Sequence, residues 1–253
     1  MSLIEGPVVA IVQARMTSSR LPGKILKPLA GAPLICRVVE RVANIPSVDR
    51  VVVALAEGAV HDPVAAAVEG SQVMVVRGPE HDVLSRTASA ARAAKAGTVI
   101  RITSDCPLLD PAVSEATLAA YAAARPAGVC YARLAFDHGF PLGFDTEIFA
   151  ASLLYATEAA AKDAYEREHV TAFIWRRPEI YPSLIVDARP DRRHWRLVVD
   201  TEEDYRLVSL VYDALYEEKP SFGYAEICAL FERCPELLRI NAHVEQRAYV
   251  GLC

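Results

Sequence analysis

The feature that most restricts the fold of this chain is an alternation, through its first hundred residues, of short Val- and Ile-rich runs with segments of helical period. Pro7 to Val12, Arg50 to Ala54, Gln72 to Val76 and Thr98 to Thr103 are apolar on successive residues, as strands buried on both faces are. Between them, Pro33 to Asn44 opens with proline at a first helical position and repeats Leu34, Val38 and Val42 on one face. His81 to Lys95 likewise aligns Val83, Leu84, Ala88, Ala91 and Ala94. Strands that alternate with helices call for a parallel sheet with right-handed crossovers, so the expected class is α/β with a mostly parallel central sheet.

Beyond Pro126 the rhythm changes. Gly128 to Ala132, Asp145 to Phe149 and Leu184 to Asp187 are expected strands, divided by a helical region from Ala150 to Arg176, which suggests a small inserted or antiparallel lobe over about residues 126–190. Trp195 to Val199 then returns to strand character with Asp200 at its end, and Thr201 caps a helix that opens on Glu202, Glu203 and Asp204. The helical segment from 202 to 253 carries Leu230, Phe231, Leu237, Leu238 and Ile240, which would cap the core or join subunits. A length of 253 residues, with no low-complexity linker, fits a single domain spanning 1–253.

The formal net charge of −5 argues against a nucleic-acid partner, which needs a basic face. No apolar run reaches the roughly 18 residues that span a bilayer, and the N-terminus has no signal-type segment, so a cytoplasmic protein away from the membrane is expected. Cys36, Cys106, Cys130, Cys228, Cys234 and Cys253 form no C-x-x-C pair, which points to small core residues rather than zinc or disulfides. His61, His138, His194 and His243 show no partner pattern and read as structural or solvated.

Ligands of open α/β sheets collect at the carboxyl ends of the strands, and three polar segments fall there: Gln13 to Lys27, Ser104 to Asp110 and Asp200 to Asp204. The first carries Arg15, Arg20, Lys24 and Lys27, three hydroxyls and the turn Pro22-Gly23. Such a loop can fold its backbone N–H groups and cationic heads around a polyphosphate, although a merely solvated basic loop would have the same composition. Neither G-x-x-x-x-G-K-[ST] nor G-x-G-x-x-G occurs, which disfavours an ATPase and a dehydrogenase. In the other two segments Asp105 and Asp200 each leave a strand. A lone Asp there is often a cap, but two carboxylates beside a phosphate loop are what magnesium uses, because it keeps waters and takes one or two protein carboxylates plus phosphate oxygens.

Taken as whole strings these segments resemble the nucleotidyltransferases that activate acidic sugars. The carrying motifs are Arg15, Arg20, Lys24, Lys27-Pro28-Leu29 and Gly31-Ala32-Pro33-Leu34, then Ser104-Asp105-Cys106-Pro107-Leu108-Leu109-Asp110 and Val199-Asp200-Thr201-Glu202-Glu203-Asp204. Gly78 to Arg86, Gly143 to Phe149 and Arg167 to Thr171 are similar to the branch named for spore-coat polysaccharide biosynthesis, close to the pseudaminate and acylneuraminate cytidylyltransferases. Ser104 stands where relatives often have Gly, and Glu202 where they often have Pro. The resemblance spans about residues 8–215. It implies a Rossmann-like three-layer sandwich of the nucleotide-diphospho-sugar transferase type and a magnesium-dependent cytidylyltransferase that couples CTP to an acidic sugar, with a homodimer expected from relatives. By the same resemblance Asp105 and Asp200 hold magnesium, and with Lys24 and Arg15 they carry the reaction. Gln13, Ala14, Ser18, Arg20, Asp82 and Ser104 join Arg15 and Lys24 on the nucleotide, and Phe144, Asp145, Glu147, Glu168 and His169 line the sugar pocket.

Rival readings are another nucleoside triphosphate, a sugar 1-phosphate or phosphonate acceptor, a glycosyltransferase of similar fold, and a non-catalytic nucleotide-binding relative. A glycosyltransferase usually shows Asp-x-Asp, whereas the next carboxylate after Asp105 is Asp110. A non-catalytic relative would lose the carboxylates, and both are present.

Overall fold

The computed structural model describes residues 4–134 and 139–246; His138 and Cys253 lie outside them. In chain order the first half runs β1 (Val8–Ala14), a small hairpin of β2 (Pro28–Leu29) and β3 (Ala32–Pro33), α1 (Leu34–Ala43), β4 (Arg50–Ala56), α2 (Asp62–Ala67), β5 (Val73–Gly78), α3 (Val83–Ala93) and β6 (Thr98–Thr103). The second half runs α4 (Pro111–Ala124), β7 (Tyr131–Leu134), β8 (Glu147–Ala150), α5 (Ala151–Ala160), α6 (Ala164–Glu168), α7 (Ala172–Trp175), β9 (Ser183–Val186), α8 (Glu202–Leu215) and α9 (Tyr224–Arg233).

All the larger strands join one seven-stranded sheet in the order β5-β4-β1-β6-β8-β7-β9. The first four are parallel; β8 runs antiparallel to both β6 and β7, and β9 is again parallel to β7. The expected α/β class holds, and the strands after residue 126 continue the main sheet through the antiparallel β8. From β1 the chain moves outward through β4 to β5, then returns to β6 on the other side of β1. That reversal parts the crossovers to opposite sides and opens a crevice above the carboxyl ends of β1 and β6, where ligands of such sheets bind.

Alternate residues of each central strand point to opposite faces, and both faces are buried. Val8, Ala10 and Val12 pack with Val38, Val42, Leu118, Val208 and Phe231, which come from α1, α4, α8 and α9. Val9, Ile11 and Val99 pack with Leu84, Ala88, Ala91 and Leu154 from α3 and α5. At about 25 cal/mol per Å2 of apolar area, a fully buried Val or Leu contributes roughly 1.5–3 kcal/mol, so this double layer is what holds the crevice floor in place.

Three expectations need correction. Ala150 to Arg176 is not one helix but three short ones, because Asp163 caps a new helix through Tyr165 N and Glu166 N and α7 begins afresh at Ala172. Helix α4 was not expected; Pro111 starts it, with Asp110 as the cap that accepts from Ala112 N and Val113 N. Trp195 to Val199 is not a sheet strand. It makes one isolated bridge, Leu142 to Arg196, and its remaining backbone bonds go to loops. Among the described residues no helix is long and apolar enough to cross a membrane.

Candidate active site

The extended segment 195–200 explains how two carboxylates distant in sequence meet. Trp195 O accepts from Leu142 N, Leu197 N donates to Leu142 O at 2.7 Å, and Val199 N donates to the carbonyl of Asp105 at 2.8 Å. Gly143 permits this approach: at φ +109° it lies where L side chains are strained, and a Cβ there would stand 2.5 Å from the carbonyl carbon of Leu197. The main chain of one carboxylate thus docks beside that of the other. Helix α8 then anchors Asp200 from below through the Thr201–Asp204 capping box, in which Asp204 also accepts from Asp200 N at 3.0 Å.

Lys24 stands between the two carboxylates. Its Nζ donates to Asp105 Oδ2 at 2.8 Å, to Asp200 Oδ1 at 2.8 Å and to the carbonyl of Val199 at 2.7 Å, with only 8% of the residue exposed. Burial pushes the ammonium pKa down, but the two carboxylates outweigh it and hold the pKa above its ordinary value. Burial likewise works to raise Asp105, and Lys24 with the Thr103 hydroxyl keeps it below the usual carboxylate range. The other oxygen of Asp200 pairs with Arg20 at 2.6 Å and with the buried Arg196 at 3.0 Å. Arg196 in turn binds Asp204, and Asn241 donates to both Asp204 and the Arg196 carbonyl at 2.8 Å, so the carboxyl-terminal segment braces the site.

Two connected cavities open around this centre. One, of about 220 Å3, is the cradle: Gln13, Ala14, Arg15, Ser18, Ser19, Arg20, Lys24, Val83, Arg86, Ser104, Glu168 and the two aspartates line it. The other, of about 200 Å3, is a chamber on the β6-β8-β7 side, bounded by Arg101, Cys106, Arg133, Leu142, Asp145, Glu147, Thr171 and Trp175. Gln13, Arg101, Thr103, Asp105, His169 and Asp200 belong to both and mark the junction.

The chamber floor is a row of charges across three strands. Arg101 on β6 and Arg133 on β7 both lie in register with Glu147 on β8. Glu147 binds Arg101, accepts from Thr171 Oγ1 at 2.5 Å and takes the Tyr131 hydroxyl. Burial would raise its pKa, yet Arg101 first and these hydroxyls next hold it below the usual range. Asp145 differs: burial lifts it to about 6, even though Gly143 N donates to its Oδ2 at 3.0 Å. Burial also pushes the imidazole of His169 down and the Cys106 thiol well up, so this thiol lacks thiolate character.

Of the residues expected on the nucleotide, Gln13, Ala14, Arg15, Ser18, Arg20, Lys24 and Ser104 line the cradle. Asp82 does not. It caps α3 by accepting from Ser85 N at 3.0 Å and holds Arg167 through contacts of 2.6 and 2.8 Å, which is a tie between helices. Of the expected sugar-pocket residues, Asp145, Glu147 and His169 line the chamber and Glu168 lies on the cradle side, 3.9 Å from Arg15. Phe144 is a core residue, 1% exposed and packed edge-on against Tyr224. Arg101, Arg133 and Arg86 were missed. The usable signal was a cation inside an otherwise apolar strand, as Arg101 is within Thr98 to Thr103.

Comparison with known proteins bears on this geometry. The family model described as cytidylyltransferase matches residues 9–240. The spore coat polysaccharide biosynthesis protein SpsF of Bacillus subtilis (strain 168) is 32% identical over 246 residues, covering 90% of this chain and 95% of that protein. Among solved structures, a cytidylyltransferase from Leptospira borgpetersenii serovar Hardjo-bovis matches with a TM-score of 0.86 at 27% identity, over 96% of this chain and 98% of that one. A CMP:2-keto-3-deoxy-manno-octonic acid synthetase complexed with CTP matches with a TM-score of 0.60 over 83% of this chain and all of that one. Its 18% identity speaks to the fold alone.

Proposed function

Because this chain belongs to the cytidylyltransferase family, whose members are nucleotidyltransferases, we propose that it condenses CTP with an acidic sugar of the ulosonic or nonulosonic type, with magnesium, to give a CMP-sugar and pyrophosphate. The observation that carries this reading is the junction itself: a cation-lined cradle and a polar chamber meet at Asp105 and Asp200. The name of the Bacillus subtilis relative supports a role in surface polysaccharide synthesis.

In this mechanism the triphosphate lies along the loop from Arg15 to Lys24, where Arg15, Ser18 and Arg20 line the cradle. A hydroxyl of the sugar in the chamber attacks the α-phosphorus and gives up its proton to solvent; the new P–O bond forms as the bond to the β-phosphate oxygen breaks, and pyrophosphate departs. The protein positions the two reactants and neutralises charge on the phosphates, which is most of what phosphoryl-type transfer requires. Lys24 moves from the carboxylates to the phosphates in the loaded enzyme.

The residues present fit a divalent cation. Two hard carboxylate oxygens lie within 2.8 Å of a single point, and in this structure the ammonium of Lys24 stands at that point as a cation in its own right. Magnesium needs only one or two protein carboxylates, because it keeps waters and takes phosphate oxygens for the rest. Asp105 and Asp200 would hold the ion, which when bound supplies charge neutralisation and lowers the pKa of a coordinated hydroxyl.

The test is pyrophosphate release from CTP, UTP, GTP and ATP in turn, with magnesium and a panel of sugar acids, sugar 1-phosphates and neutral sugars. Release with CTP and a sugar acid is expected. Release only with another nucleotide or a sugar 1-phosphate would overturn the substrate assignment.

A further inference from the structure

The cradle loop is held from outside by a side chain that sequence alone left without a role. His61 lies between β4 and α2 and is 0% exposed. Its Nδ1 accepts from the backbone N–H of Met16 at 3.1 Å. An imidazole that accepts at Nδ1 carries its proton on Nε2, which lies 3.6 Å from Glu80 Oε2, beyond hydrogen-bond distance. Glu80 makes a separate hold on the same loop, since its other oxygen takes the hydroxyl of Thr17.

Met16 is where this clamp has most leverage. Its carbonyl accepts from both Ser18 N and Gly23 N at 3.0 Å, so the residue whose N–H His61 holds also organises the turn that carries Ser18, Ser19 and Arg20 into the cradle. We infer that His61 is a positioning residue for the nucleotide: it fixes the Met16 N–H while Glu80 fixes the Thr17 hydroxyl, so that the loop presents the cationic side chains of Arg15, Arg20 and Lys24 to the triphosphate before that ligand arrives. Preorganisation of this kind acts on nucleotide affinity and leaves the acceptor side unchanged. The inference rests on the proposed triphosphate cradle.

The experiment measures CTP binding by calorimetry, with magnesium, for the full-length protein and the variants His61→Leu, His61→Asn and Thr17→Val, alongside thermal melting and the KM for the acceptor. His61→Leu leaves the Met16 N–H without an acceptor in a buried place and is expected to weaken CTP binding about tenfold. His61→Asn, whose Oδ1 can take the place of Nδ1, should stay within about twofold of wild type, and the acceptor KM should not move in either. Should His61→Leu fail to fold, Thr17→Val decides, with a several-fold loss of CTP affinity at unchanged melting temperature. Wild-type affinity in the deciding variant, or equal losses in the Leu and Asn variants, would overturn the positioning role. Wild-type protein that binds no CTP would instead overturn the cradle reading, and the inference with it.

Discussion

Removing the charge of Lys24 while keeping its bulk, as Lys24→Met, isolates the electrostatics at the centre of the site. The ammonium has three partners: Asp105, Asp200 and the Val199 carbonyl. Taking one member out of a buried ion pair costs about 3–5 kcal/mol. Here the Asp105 side chain is 24% exposed, and Asp200 keeps Arg20 and Arg196. The expected loss at pH 7.5 is therefore about 2–3 kcal/mol, or roughly 4–12 °C in Tm for a chain of this size. The pH dependence has a defined sign. In wild type, burial is overcome by Lys24 and Asp105 is held low, so its contribution is full above its unfolded value near about 3.9 and is lost as the pH falls through the lower folded value. In the variant burial, the largest influence, is opposed only by the Thr103 hydroxyl and a backbone hydrogen bond, so the folded pKa is expected to rise above the unfolded one and stability to return as the pH falls. Thermal melts in EDTA at pH 7.5 and pH 5 should show a gap between the two proteins that narrows at the lower pH. Equal Tm values at pH 7.5, or a gap that does not change with pH, would refute the reasoning.

Asp145→Asn keeps an acceptor for Gly143 N and removes a carboxyl whose pKa is lifted to about 6. A raised acid costs nothing below its unfolded value and its full penalty above pH 6, so the variant should be about 3 kcal/mol more stable than wild type at pH 8 and equal to it near pH 4, as read by urea unfolding. Asp82→Ala should lose about 1–2 kcal/mol through the helix cap and the Arg167 tie, with the KM for CTP within about twofold of wild type; a large rise in that KM would restore Asp82 to the nucleotide site. Cys106 should resist alkylation in the folded protein at pH 8, because burial and the neighbouring Asp105 and Asp145 hold its thiol protonated; rapid labelling would contradict the packing around it.

Periodicity read the parallel half of this fold well because its strands are buried on both faces and its helices are one-sided, so local pattern and tertiary environment agree. It read the rest less well for identifiable reasons. Trp195 to Val199 is as apolar as a strand, but its backbone partners are the Leu142 and Asp105 carbonyls, and no local pattern records which loop a segment docks against. Helix α4 was obscured by the two prolines that flank Leu108 to Asp110, although Asp110-Pro111 is a sound cap and first turn. In the site, Lys24 stood out as one of four cations in a short loop after the first strand, and Asp105 and Asp200 as two carboxylates at the ends of apolar runs beside that loop. Arg101, Glu147 and Arg133 form one row only once the register across β6, β8 and β7 is known. Phe144 and Asp82 sit inside motifs of the family resemblance yet serve the core and a helix cap, since a motif marks a stretch of chain and not which side chains face the cleft.

The most direct measurement is a crystal structure with CTP and Mn2+, read by anomalous scattering. A manganese peak about 2.0–2.2 Å from one oxygen each of Asp105 and Asp200, with Lys24 withdrawn onto the phosphates, is the expected result. Nucleotide bound in the cradle with the ammonium still bridging the carboxylates, or a metal held elsewhere, would contradict it.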